Sequence, residues 1–539
     1  MKNVKNKIKE IFTLNNIALT LFVIVMIVTI YYILFPSRGF FHSDSADTIM
    51  WAEASYVAKA VFNQNFDYAC LLPFGGHLLM IPFIAMWGVS MNAHIAGMLL
   101  FFVLFVASFI LVLRQMKWSL STCLLATTTF ISLLLGSEKL REIFFGHIIY
   151  YSLGLFFLFI GMALVLKILD STTNKNKFVI LNCVLLIWCL LTGMNQLQTL
   201  TLFTIPLLGA IIAEQFFDFE KKDKKFIKKI LAVCNVIIIG TGLGYIFGSV
   251  FKGEIIAGYQ DAFSNLSGKD MWLKNALQFP EQWITLIGVD ILDGDYIASF
   301  GSIINMIRIM LSVVLFVCPI IVTVLYPKLK DRSSKFWIFI HWITTALIMV
   351  AFTFGRLADA NWRLSPILAT SIITTMILIR WIYNNLVKYR RLLLLIIAPI
   401  AMICLFNVKE IATMPSNYKQ DEGLYVLAEE LHERGLSYGY GTFWQANALT
   451  VISNSKVKCR SIDVFEDKYA EYTYQQDRRW FIPEENYSKY FVVLTETEYY
   501  TLSMDHPLRY NVIEAFSVDN YRVFVYNRNI FPRFLKEVS

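Results

Sequence analysis

Stretches of roughly twenty apolar residues follow one another along this chain, and a helix of that length crosses the hydrocarbon of a bilayer. The first runs from Ile17 to Phe35. Hydrophobic residues make up 57% of the 539 and charged residues only 16%, with a mean hydropathy of +0.55. A soluble globular chain of this size carries more charge, so the composition excludes that class and indicates a polytopic α-helical membrane protein. Hydropathy predicts about eleven spans, over residues 17–35, 93–113, 118–136, 147–168, 177–194, 198–215, 229–250, 303–326, 336–354, 366–386 and 391–407.

The net charge of +8 is not spread as a nucleic-acid-binding surface would be. Its lysines and arginines gather at the N-terminus (Lys2, Lys5, Lys7, Lys9) and in Arg114–Lys117, Asn174–Lys177, Lys221–Lys229, Lys328–Lys335 and Lys388–Arg391. These are the alternate loops of the threading, as retention at a cytoplasmic face requires. The expectation is therefore a cytoplasmic-membrane protein with its N-terminus inside and residues 408–539 outside. The basic start and first apolar run read as a retained helix, because the run is too long for a signal-peptide core.

Two further segments are expected to lie on, or dip into, the outer leaflet as helices, 46–64 and 76–89. Pro73, Gly75, Gly76 and Pro82 interrupt the second, and a full crossing there would move every later basic loop to the other side. The domain organisation is thus a transmembrane part, 1–410, with a large first outer loop at 36–92, followed by an external α/β domain at 411–539. In the tail, Glu422–Arg434 reads as an amphipathic helix ended by Gly435. Val457–Cys459, Tyr490–Leu494, Val512–Phe516 and Arg522–Tyr526 read as strands. Six of the eight cysteines lie in apolar runs as small hydrophobes, and no CxxC or Cys/His cluster suggests zinc. Cys70 and Cys459 both fall outside the membrane, where a disulfide between them is open.

Few ionisable groups fall on the outer side. The first loop has His42, Asp44, Asp47 and Glu53. The second has Glu138, Lys139, Arg141, Glu142 and His147. The third has the amides Asn195, Gln196 and Gln198. The fourth has Asp290, Asp293 and Asp295, and the fifth has Arg356, Asp359 and Arg363. Carboxylates in one loop and cations in others suit displacement at the anomeric carbon of a lipid-phosphate-linked sugar. That reaction needs a base for the attacking hydroxyl and cations for the departing phosphate. Asp44 or Asp47 would be the base. Arg356, Arg363, Lys139 or Arg141 would receive the phosphate, with His42 beside them. Plain structural readings stand next to these. Asp44 and Asp47 would cap a helix beginning near Asp47. Lys139 and Arg141 would pair with Glu138 and Glu142, and Arg363 would snorkel to headgroups. The three fourth-loop aspartates would form a solvated turn.

Four features resemble the GT-C superfamily of integral-membrane glycosyltransferases, which includes protein O-mannosyltransferases and the bacterial aminoarabinose transferase. Ser43-Asp44-Ser45-Ala46-Asp47 follows the first helix, where that family keeps its catalytic aspartate. Leu72-Pro73-Phe74-Gly75-Gly76 is similar to the proline-glycine segment before its second helix. Asn361-Trp362-Arg363-Leu364-Ser365-Pro366 resembles its Arg-Tyr-Leu-x-Pro segment. Gly439 to Asn447 in the tail is similar to a segment common in bacterial relatives. Leu364 departs from the usual tyrosine, and Asn195 and Gln196 stand where an arginine is frequent. The resemblance implies inverting transfer from a polyprenyl-phosphate sugar, the likes of undecaprenyl phosphate, to a glycan, lipid or protein acceptor. It implies Asp44 first and Asp47 second as base, and Arg363 near the phosphate. Some relatives need a divalent metal, magnesium or manganese; the residues leave that requirement open, and no other cofactor is implied. The rival classes are a flippase for lipid-linked glycan, which predicts ionisable groups at mid-membrane depth such as Arg308, Arg380 or His341, and a non-enzymatic scaffold.

Overall fold

The computed structural model describes residues 13–70, 72–170, 174–217, 224–252, 265–290, 296–356, 358, 360–481 and 487–531. Its membrane part is built from α1 (Leu14–Leu34), α2 (Ser43–Ala58), α3 (His77–Trp87), α4 (Met91–Gln115), α5 (Leu120–Leu134) and α6 (Glu138–Gly146). The chain continues through α7 (Tyr151–Leu169), α8 (Lys175–Gly193), α9 (Leu197–Phe217), α10 (Lys224–Lys252) and α11 (Lys269–Leu286). It closes with α12 (Phe300–Val324), α13 (Arg332–Phe354), α14 (Ser365–Asn385) and α15 (Leu393–Thr413). Among the described residues ten helices are long and apolar enough to cross a bilayer, and α5 makes eleven when counted with α6. This is a multi-pass membrane protein. The break between α5 and α6 is a turn of 118°.

Polar caps start many of the spans where the sequence leaves an apolar run. Thr13, Ser90, Ser119, Asn174, Ser299 and Asp331 each accept a backbone N–H from the first turn of the helix they open. Contacts between loops define two faces. On one, Lys117 pairs with Asp170 at 3.6 Å, Arg332 with Glu214 at 3.2 Å, and Arg380 lies over the Trp118 ring. On the other, Asn195 accepts from Phe74 N and donates to Phe74 O, and Ser267 N donates to Phe354 O. Loops therefore alternate between faces as hydropathy and charge predict. Of the basic segments behind that expectation, residues 1–12 and 218–223 lie outside the described residues.

The first helix of the first loop starts earlier than expected, while the second starts within one residue of its expected place. α2 begins at Ser43, not near Asp47, so Asp44 sits in its first turn and Asp47 one turn further in. His42 is the N-cap residue and gives no side-chain cap. The helix is buried on nearly every side, which its small residues Ser43, Ser45, Ala46, Ala52, Ala54 and Ser55 permit. α3 is only 11 residues long and contains Pro82, so it does not cross. Gly76 before it is required by close packing: a Cβ there would lie 2.2 Å from the Ile148 Cβ. The span expected to open at His147 opens at Tyr151.

The tail holds α16 (Leu424–Glu433), β1 (Tyr438–Gly441), α17 (Phe443–Ile452), β2 (Lys458–Val464), β3 (Tyr469–Glu471), β4 (Tyr490–Thr495), α18 (Glu496–Thr501), β5 (Glu514–Val518) and β6 (Tyr521–Tyr526). The strands form one sheet in the order β3-β2-β1-β4-β6-β5, with β1 parallel to both β2 and β4 and the other pairs antiparallel. β1 escapes a pattern reading because it is four residues of Tyr and Gly. Gly439 there lets the Phe491 ring approach to 2.4 Å of where a Cβ would be. α17 packs against α2, which seats the tail directly on the first loop. Cys70 and Cys459 are both free and buried.

Candidate active site

α2, α6 and the 361–364 turn meet on the face that bears the tail domain. Asp44 is half-buried in the first turn of α2, where a carboxylate complements the helix dipole. Its charged neighbours are His42, Glu142 and Lys139. Burial lifts its carboxyl above the ordinary carboxylate range; the charges of His42 and Lys139 pull against that and Glu142 adds to it. Glu142 is the hub. His42 Nε2 lies 3.5 Å from one of its oxygens, His147 Nε2 3.9 Å from the other, and Lys139 Nζ 2.5 Å away. Burial works against its charge, but the His42 hydrogen bond and the positive charges of His42 and Lys139 hold it as the anion. Burial likewise opposes a charge on His42, yet Glu142 and Asp44 outweigh it and its pKa is raised. Buried His147 is pushed down to about 4 and stays neutral.

Lys139 reaches the other way too. Its ammonium sits 4.8 Å from the Trp362 ring centroid, which joins α6 to the turn Asn361–Leu364. Arg363, the next residue, is half-buried, with its guanidinium passing beside Gly355 and its charge felt at Tyr151. Arg356 is exposed at the end of α13. Beside this cluster a cleft of about 460 Å³, open mouth included, runs between α1, α4 and α6. His42, Ser45, Glu138 and Glu142 give it a polar rim, and Phe41 and Met98 an apolar wall.

This topology matches solved structures. ArnT from Cupriavidus metallidurans bound to undecaprenyl phosphate is similar with a TM-score of 0.56 at 10% identity, over 94% of this chain and 97% of that one. The apo state of the same protein gives 0.52, again at 10% identity and over the same shares. No family model and no curated protein matches the sequence. The chain has the GT-C fold.

Within this GT-C fold the residues singled out from sequence separate into three groups. His42, Asp44 and Lys139 come together with Glu142. Asp47 lies one turn behind Asp44, only 7% exposed. Burial, then the charge of Asp44, push its carboxyl well above the usual range, opposed by the neighbouring side-chain amide of Gln475 of the tail. Arg141 is placed differently from expectation. It is 5% exposed, donates to Leu135 O at 2.9 Å, pairs with Glu410 at 3.8 Å and stacks on Tyr32 and Phe40. Its guanidinium is committed to holding α6 on α15 and α1, so it is not presented to a ligand. Asp293, Asp295 and Asp359 lie outside the described residues.

Sequence reasoning did not anticipate Glu142 as the hub or Gln475 as a neighbour of Asp47. Glu142 stood out only as an acid among acids; its two histidine partners lie 100 residues and 5 residues away in the chain, and only folding joins them. Among the described residues no three His, Cys, Asp or Glu side chains converge as a metal-binding set. The steps below use side chains alone. Two ionisable groups inside the spans have local partners: Arg308 donates to Gly288 O at 2.5 Å and pairs with Glu410 at 3.6 Å, and His341 Nδ1 bonds Thr370 Oγ1 at 2.9 Å.

Proposed function

We propose that this protein is a membrane glycosyltransferase that moves a sugar from a polyprenyl-phosphate donor to an acceptor hydroxyl, with Asp44 as general base. The observation that carries the reading is the half-buried Asp44 in the first turn of α2, within the charge fields of His42, Glu142 and Lys139, on a fold shared with a protein solved with undecaprenyl phosphate bound. Asp44 takes the proton from the acceptor hydroxyl. The acceptor oxygen forms its bond to the anomeric carbon from the face opposite the phosphate, the carbon–oxygen bond to phosphate breaks, and polyprenyl phosphate leaves. Configuration inverts in that single displacement. Lys139 and Arg363 receive the phosphate charge, and Arg356 screens it from solvent. The carboxylates Glu138 and Glu142 on the rim of the cleft repel phosphate but suit hydroxyls, which favours it as the acceptor's side.

The local partners of Arg308 and His341 favour this reading over a flippase, whose pathway needs ionisable groups free to exchange partners. A scaffold gives no reason for a carboxylate held with a raised pKa beside two cations. The charge pattern of the alternate loops supports a cytoplasmic N-terminus and an external tail in the cytoplasmic membrane. Single cysteines at the exposed positions Lys59 and Lys330 test this in a background whose own cysteines are replaced: Lys59→Cys is expected to react with an impermeant maleimide in intact cells, and Lys330→Cys only after lysis. The reverse pattern would invert the orientation.

The functional test is reconstitution in liposomes with a series of radiolabelled polyprenyl-phosphate sugars and envelope extract as acceptor. Release of polyprenyl phosphate with transfer of label is expected for at least one donor. Absence of both across the series, from protein shown to be folded, overturns the reading.

A further inference from the structure

The loop 472–481 of the tail domain is built into the first membrane loop. Gln475 N donates to Asp67 O at 2.7 Å, Asp67 N to Gln476 O at 3.0 Å and Arg478 N to Asn65 O at 2.8 Å. Asn63 donates to Asp477 at 3.0 Å, and Arg478 pairs with Asp67 at 2.6 Å. At the centre is Gln475, fully buried, its backbone in the left-handed region at φ 59°, and its carbonyl held by Asn447 of α17. Its side-chain oxygen accepts from Trp51 Nε1 at 2.5 Å and from Ala69 N at 3.4 Å. The amide end of the same carboxamide lies beside Asp47, and neither Gln475 Nε2 nor Asp47 Oδ1 has a hydrogen-bond partner among the described residues, so each is a buried polar group left to the other. Asp47 and Trp51 are i and i+4 on α2, so they share a face, and Asp44 is one turn earlier on that face. One carboxamide from the tail thus spans a full turn of the helix that carries Asp44.

We infer that Gln475 pins α2 through Asp47 and Trp51, making the tail domain part of the catalytic architecture and Asp47 a positioning residue rather than the base. The inference deepens the proposed function and rests on it for the role of Asp44, but the pin itself is a statement about docking. A buried acid–amide pair needs no counter-ion and tolerates no second carboxylate. The other titratable groups facing it are Asp44 on α2, Cys70 after the 63–69 segment and Tyr150 before α7. Cys70 is pushed by burial up to about 12 and Tyr150 well above its usual value, so both stay neutral. Asp67 and Asp477 are paired with Arg478 and Arg479.

The test uses the full-length protein in nanodiscs and two readouts. Arg478 and Arg479 are trypsin sites inside the docked loop, so cleavage there reports undocking without reference to activity. Wild type is expected to resist cleavage at pH 6.5 and at pH 8.5. Gln475→Glu puts two carboxyls together; they share a proton at pH 6.5 and repel once it is lost, so cleavage and a roughly tenfold loss of transfer are expected at pH 8.5 only. The swapped pair Asp47→Asn with Gln475→Glu restores one acid facing one amide. It is expected to regain trypsin resistance and to bring transfer back to within roughly threefold of wild type. Gln475→Glu that stays uncut at pH 8.5 overturns the pin. A swap that regains resistance but not transfer overturns the positioning role and makes Asp47 the reacting group. Absence of transfer in wild type would count against the proposed function, while the trypsin pattern would still decide the pin.

Discussion

Replacing Asp44 with asparagine is expected to lower sugar transfer by roughly 10²–10⁴-fold, the contribution a positioned general base makes. That is about 3–5 kcal/mol of barrier, and no other described group offers to make it up. His42 is held toward its charged form by Glu142 and Asp44, and buried His147, pushed down to about 4, is a weak base, so neither imidazole is a ready substitute. Asparagine keeps the shape and the helix position, so the melting temperature and the tail's protease resistance should hold while kcat falls. The pH profile gives a second check with a defined sign. Asp44 acts as base only when ionised, and its pKa is raised by burial. The wild-type rate is therefore expected to fall with acidification at a pH above the range of an ordinary carboxylate, and to be lost before the protein itself unfolds. Asp44→Glu should shift that limb rather than remove it. Transfer by Asp44→Asn within threefold of wild type would remove Asp44 from the chemistry.

How much of this was legible in the sequence follows from what each signal depends on. Span number and alternation depend on apolar length and loop charge, which are local, and Leu14–Leu34, Met91–Gln115 and Arg332–Phe354 stand close to where hydropathy sets them. The start of α2 was misjudged because His42 offers no cap and the helix is fixed instead by the tail: Ser43 Oγ donates to Phe443 O at 2.5 Å, a contact across 400 residues. The end of the span expected over 118–136 was legible, because the charged run Glu138–Glu142 follows it; that this outer loop forms a short helix turned 118° from α5 was not. The candidate site was legible as residue types in loops, since carboxylates beside a membrane are few. Which of them meet was not. Arg141 and Lys139 are two residues apart, yet one is sealed against Glu410 and the other faces Glu142 and Trp362. About half a helix turn separates those fates, and only the packing of α6 decides which side chain points where.

Lys139 is where that division carries the second large effect. Lys139→Gln is expected to cut kcat/KM for the donor by about 10²-fold, the scale for losing one fixed positive donor at developing charge. The bland alternative is that Lys139 exists to balance Glu142, at 2.5 Å, and that its loss merely frees an anion in a half-buried cluster. The two are separable. If balance were its whole role, Glu142→Gln in the same chain would relieve the uncompensated charge and restore transfer. If Lys139 serves the phosphate, the double variant stays as slow as the single one, and its affinity for the product polyprenyl phosphate, measured by inhibition, falls alongside. Arginine at 139 keeps charge but replaces a compact ammonium over Trp362 with a planar fork, so partial recovery is expected rather than full. Because Glu142 also supports the raised pKa of His42, Glu142→Gln alone should alter the pH dependence of the acceptor side while leaving donor affinity nearly unchanged. That split, donor loss with Lys139 and acceptor-side change with Glu142, is what a cation serving phosphate and an acid serving hydroxyls produce, and a simple ion pair produces neither.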